Sequence, residues 1–255
     1  MKIAVCVKQV VTRDWPLRVT DSSNWVRDEE ASFEMNEPDA YALEEALRLK
    51  EKFGGEVVVC SAGPQRVSQV IREALARGAD RAILVQHAEL ASSDATVVAK
   101  ALADAVREES FDLVLTGLQS DDQGFAQVGV VLAEYLDLPH ATIIMEVDVV
   151  DDGTALRVKR ELEGGWFQWV GMPIPALLTI QSGINQLRYA TLKGIMASKK
   201  KDVRVVIPED LGKHGQRILG LYVPEKDKAT RLLDGSPTDA ARALVKLLQD
   251  EARIL

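Results

Sequence analysis

Histidine, cysteine and aromatic side chains are scarce in this 255-residue sequence, and each shortage narrows the chemistry open to it. The three histidines, His87, His140 and His214, follow a strand, a proline and a loop lysine, and none has a nucleophile or metal ligands in pattern around it. No hydrolytic triad or metal centre is expected, and no catalytic residue is assigned. The two cysteines, Cys6 and Cys60, each sit inside an apolar run that reads as a buried strand, which argues against a disulfide framework or a zinc site and for a reducing compartment. Positive charge is also in deficit, with 31 basic against 39 acidic residues and a net charge of -8. Such a surface repels nucleic acid and anionic lipid, and the short run Lys199-Lys200-Lys201, followed by Asp202, reads as a solvated helix end. No apolar run approaches the ~20 residues of a membrane span, and Lys8 interrupts the N-terminal run MKIAVCVKQVV too soon for a signal peptide. The expected location is the cytoplasm, or the mitochondrial matrix if the source is eukaryotic. Neither GxGxxG after the first strand nor GxxxxGK[ST] occurs, so the ordinary dinucleotide and phosphate-loop readings lose their main support.

What is present is alternation. Apolar β-type runs at Ile3 to Val7, Val57 to Ser61, Arg81 to Val85 and Leu113 to Leu115 are separated by amphipathic stretches at Ala40 to Phe53, Val67 to Ala76 and Asp94 to Arg107; Gln127 to Leu136 then returns as a helix. Strands separated by helices of this length imply right-handed crossovers, hence an α/β, doubly wound, mostly parallel, Rossmann-like sheet covered on both faces. After His140 the pattern turns antiparallel. Ala141 to Val149, the turn Asp151-Asp152-Gly153 and Leu156 to Leu162 read as a hairpin, followed by a strand at Ala176 to Gln181. We expect a nucleotide-binding domain over residues 1–183. Residues 184–255 read as an arm with a short basic helix, a Pro-interrupted strand near Val203 to Ile207 and an amphipathic helix from Thr238 to about Arg253.

In doubly wound sheets ligands lie beyond the carboxyl ends of the strands. That rule singles out the segments after Val7, around Asn36, at Ser61 to Gly63 and from Gly117 to Gly129. The last joins a strand to a helix, where glycines permit close backbone approach and free amides attract phosphate. Gln119, Asp122 and Gln127 in it can read ribose or base edges; an ordinary polar loop with a helix cap is the competing reading.

The stretch VKRELEGGWFQWVGMPIPALLTI, Val158 to Ile180, resembles the signature of electron transfer flavoprotein β subunits, with Arg160, Glu163-Gly164-Gly165, Gln168, Pro175, Leu177-Leu178 and Thr179 at its marked positions. MNEPDAYALEEALRLKEK, SAGPQRV, ALARGADRAI, GLQSDDQGFAQVG and LRYATLKGIMASKKK resemble further blocks of that family, in its order. The resemblance implies an adenine nucleotide alpha hydrolase-like fold and a nucleotide pocket built from Cys6, Asn36, Glu37, Pro38, Asp39, Ala62 and the loop Leu118, Gln119, Ser120, Asp121, Asp122, Gln123, Gly124, Phe125, Ala126, Gln127, Val128 and Gly129. The implied ligand is AMP, held structurally, with the redox FAD mainly in a partner α subunit near the Val10 to Trp15 loop, where Arg13 or Trp15 would face it. The alternative is a second FAD in that pocket, as in electron-bifurcating members that oxidise NADH. Ser120-Asp121-Asp122-Gln123-Gly124 departs from the acidic-Gly-Asp-Thr run of that branch and favours AMP. LRYATLKGIM is similar to the loop by which the family docks on flavin dehydrogenases of the acyl-CoA type, with Leu192 as anchor beside Tyr189, Ile195 and Met196. Arg188, Lys193 and Lys199 to Lys201 would form a basic surround. A nucleotide-binding stress-type protein with no partner shares the general architecture and is the third reading.

Overall fold

The computed structural model describes residues 1–22, 25–224 and 230–254. The chain divides into two compact units, Met1–Leu221 and Tyr222–Leu255. In the first, strands β1 (Lys2–Cys6), β4 (Glu56–Gly63), β5 (Arg81–Gln86), β6 (Leu113–Gly117), β7 (His140–Val150), β8 (Ala155–Glu161), β9 (Phe167–Pro173), β10 (Ala176–Ile180) and β11 (Val203–Val206) form one sheet in the order β11-β5-β4-β1-β6-β10-β7-β8-β9. β2 (Gln9–Val11) and β3 (Phe33–Met35) make a separate antiparallel pair. The helices are α1 (Glu37–Phe53), α2 (Ser68–Arg77), α3 (Ala95–Val106), α4 (Val128–Leu136) and α5 (Leu192–Ser198), with α6 (Pro237–Asp250) in the second unit.

Alternation along β1 shows how both faces are covered. Ile3 and Val5 pack with Leu43, Ala46 and Leu47 of α1 and Ile71 and Leu75 of α2, whereas Ala4 and Cys6 pack with Val97 and Leu102 of α3 and Leu132 of α4. Cys6 and Cys60 are buried, free, and opposite one another across β1 and β4. The chain places β4 and β5 on one side of β1 and then crosses to place β6 on the other, so the topological switch point lies at the carboxyl end of β1.

The later strands depart from the sequence reading. β10 enters the sheet between β6 and β7 and runs parallel to both. The antiparallel addition is therefore confined to β8 and β9, which follow β7. The strand expected within the arm, β11, extends the main sheet as a parallel edge beside β5. Residues 184–221 accordingly pack within the first unit. In the second unit α6 is capped by Ser236, whose side chain accepts from the Asp239 amide, and none of its residues is buried.

Candidate functional site

The ends of β1 and β6 are held together by one carboxylate. Asp39, in the first turn of α1, accepts from the Lys8 amide through Oδ2 (2.7 Å) and from the Gly117 amide through Oδ1 (2.9 Å). Burial pushes its carboxyl up to about 7, against the hydrogen bonds from Lys8, Asn36 and Gly117 that favour the ion. Asn36, 1% exposed, makes a reciprocal pair with the following loop: its Nδ2 donates to the Gln119 carbonyl (2.9 Å) and its Oδ1 accepts from the Asp121 amide (2.8 Å). Asp121 accepts from the Glu37 amide (3.3 Å), and Arg13 bridges Glu37 and Asp121. Arg13 is thus engaged with the start of α1 and the adjoining loop.

These ties frame a cleft at the switch point. Cys6, Asn36, Asp39, Ala62, Leu118, Gln119, Ser120, Gln123, Phe125, Ala126, Gln127, Val128 and Gly129 line it. Glu37, Pro38, Asp121, Asp122 and Gly124 lie near it without lining it. Asp122 in particular is engaged with two residues of the lining, accepting from Lys8 Nζ (2.7 Å) and from the Gln123 amide (2.7 Å). The strand-end rule marked the segments after Val7 and from Gly117 without naming Lys8 as a site residue, and it did not name Thr116 or an apolar wall of Leu90, Ala95, Val98 and Leu102. Lys8 carried a usable signal, a cation directly after the strand at the switch point; the apolar wall carried none that separates it from ordinary core.

Local backbone explains the loop's shape. Gly124 and Ala126 both have positive φ (65° and 54°), and no side chain caps the first turn of α4, leaving amides beside the lining residues Gln127, Val128 and Gly129. Two of the loop's glycines serve packing: a Cβ on Gly117 would fall onto the Asp39 carboxylate and Pro38, and one on Gly129 would come within 2.6 Å of Thr179 and 2.7 Å of Thr116. An uncapped helix start, one cation and an apolar wall suit a ligand with a flat apolar ring and a phosphate. Through Ser93, Gln123 and Phe125 the cleft adjoins a second depression lined by Arg66, His214 and Arg217. Among the described residues no group of three or more side chains is placed to hold a metal, and no helix is long and apolar enough to cross a membrane.

A separate surface lies at α5. Thr191 caps the helix through the Gly194 amide (3.0 Å), and Gly194 packs against the Ala76 carbonyl at the end of α2. Leu192 is 82% exposed, with Tyr189, Ile195 and Met196 exposed beside it. The preceding segment is pinned to α1: Arg188 pairs with Glu44 (2.8 Å) and with Glu51, and Asn185 donates to Glu45 (3.0 Å). Arg188 is therefore paired with two carboxylates, Lys201 is turned inward to the Leu75 and Ala79 carbonyls, and Lys193, Lys199 and Lys200 are exposed.

The model of the electron transfer flavoprotein domain matches residues 24–211. Among curated proteins, the electron transfer flavoprotein subunit beta of Methylophilus methylotrophus is 36% identical over 98% of each chain, that of Bacillus subtilis 32% identical over the whole of both, and that of Homo sapiens 38% identical over 83% of each. With the family model covering most of the sheet and the relatives aligned nearly end to end, the chain belongs to the electron transfer flavoprotein family, among its beta subunits.

Proposed function

We propose that this chain is the non-catalytic half of an electron carrier: it holds AMP as a structural ligand in the switch-point cleft, completes a heterodimer with an FAD-bearing alpha subunit, and presents Leu192 to an acyl-CoA dehydrogenase-type donor. The observation that carries the reading is the convergence of Asn36, Asp39, Lys8 and the loop Leu118 to Gly129 on one cleft at the carboxyl ends of β1 and β6. The flavin supplies the one- and two-electron chemistry when bound, and electrons leave for a quinone oxidoreductase or another acceptor. This chain's part is positional. Asn36 and Asp39 fix the nucleotide loop against α1, the loop offers amides to a phosphate, and the apolar wall receives an adenine ring. The exposed α6, with Ala240, Leu244, Leu247 and Leu248 along one side, is assigned to packing on the alpha subunit.

A second reading places a second FAD in the cleft of a bifurcating complex that oxidises NADH. The adjoining depression with Arg66, His214 and Arg217 favours it, because a diphosphate extending from the cleft would meet further cations there. Extraction of the copurified complex separates the two. One FAD and one AMP per heterodimer supports the carrier; two FAD and no AMP supports bifurcation and overturns it.

A further inference from the structure

We infer that Lys8 is the phosphate-reading cation of the cleft, and that a nucleotide phosphoryl group and the Asp122 carboxylate compete for its one ammonium. The inference rests on the reading that the cleft holds a nucleotide. Lys8 is the one cationic side chain among the described residues that line it. Its main chain cannot drift, because its amide donates to Asp39 (2.7 Å) and its carbonyl accepts from the Asn36 amide (2.9 Å). The ammonium reaches across to a single loop, where it meets Asp122 Oδ1 (2.7 Å), Gln123 Oε1 (3.2 Å) and Ser120 Oγ (3.4 Å). All three of its donors are thus directed at side chains that can turn away.

Asp122 is the member suited to yield. Burial alone would raise its carboxyl, and the Lys8 charge and hydrogen bond, with Ser120 and the Gln123 amide, hold it below the ordinary range while the pair is intact. Its side chain is one-third exposed, so water can take over from Lys8. A phosphate monoester brings up to two charges and three acceptor oxygens to the same donors and outbids a monovalent carboxylate. The loop does not come loose in the exchange, because Asn36 holds Gln119 and Asp121 from the opposite side and Arg13 holds Asp121. Lys8 therefore sets the preference for a phosphorylated over an unphosphorylated nucleoside, and Asp122 works against it.

The test is equilibrium binding of AMP and of adenosine to the nucleotide-stripped complex of the full chain with its alpha subunit. Wild type, Lys8→Gln, Lys8→Arg and Asp122→Asn are compared. The expected result is a preference for AMP over adenosine that falls at least about tenfold in Lys8→Gln, is largely restored in Lys8→Arg, and is maintained or enlarged in Asp122→Asn. An unchanged AMP-to-adenosine ratio in a folded Lys8→Gln, or a ratio lost in Asp122→Asn, overturns the assignment while leaving the nucleotide site standing. Should Lys8→Gln fail to assemble, Lys8→Arg and Asp122→Asn carry the decision. Wild type that binds neither ligand overturns the nucleotide reading itself, and the role of Lys8 with it.

Discussion

Asn36 and Asp39 each bind two backbone groups from other elements, and for that reason small changes in them are expected to have large effects. The folded Asp39 carboxyl lies at about 7 against an ordinary value near 3.8. The native state therefore holds its proton more tightly than the unfolded chain does, and this group's contribution to stability declines as pH rises from about 4 through 7. Asp39→Asn removes that slope, although one of its two acceptors becomes a donor facing an amide. Denaturant midpoints at pH 5 and 7.5 should show a smaller pH difference in the variant than in wild type, together with lower stability at pH 7.5; an equal pH difference would show that Asp39 is fully ionised throughout. Glu109 has the opposite sign. Hydrogen bonding to Arg81, then Lys2, outweighs its desolvation and holds it down to about 2, so its contribution is present above about pH 4.5 and lost as pH falls through 2. On the far surface, Leu192→Ala should raise the apparent Michaelis constant of the carrier for its donor dehydrogenase about 30-fold, as expected for an anchor worth ~2 kcal/mol, with flavin spectrum and nucleotide content intact. Steady-state kinetics with the dehydrogenase checks it. At this scale the sequence was informative at the strand-to-helix loop, where glycines and a place beyond a strand's carboxyl end single out Gly117 to Gly129. It offered Asp122 as a reader of ribose or base edges and gave no sign of its ion pair, because only the fold brings Lys8 within reach of it.

Strands and helices were legible where the chain alternates between them, and less so after residue 150. β10 is five fully buried residues, and an apolar run of that kind carries no sign of whether its neighbours run parallel or antiparallel. β9 was missed because Gly-Gly precedes it and Pro ends it, and because most of its side chains are exposed at the sheet edge, so no buried face announced it. β11 looked like part of an arm because Pro208 follows it closely and its Arg204 interrupts the apolar run; pairing with β5 decides its place. Between elements, two glycines of the nucleotide loop, Gly117 and Gly129, leave no room for a side chain. Gly129→Ala would wedge α4 away from β10 and β6, at a cost of about 1–3 kcal/mol. Thermal unfolding should report it as a fall of roughly 2–10 °C, with weaker AMP retention. An unshifted melting temperature would mean that the helix start gives way easily.

The assembled protein is where α6 matters. A capped helix with an apolar side and no buried residue is stable only against another surface. Truncation before Thr238 should therefore lower the yield of heterodimer on copurification while the first unit keeps its melting temperature; undiminished assembly would remove α6 from the interface. The first unit reaches Leu221 because β11 pairs with β5, a strand far earlier in the chain, and that pairing cannot be read from local pattern.

Helix α1 carries a consequence of its own. Its first turn holds the nucleotide loop through Asn36 and Asp39, and its later turns hold the docking segment through Glu44 and Glu51. At 1.5 Å per residue its 17 residues make a rod of about 25 Å. On the proposed function the rod would act as a ruler, holding the docking segment at a set span from the nucleotide loop, both registered to the same straight edge.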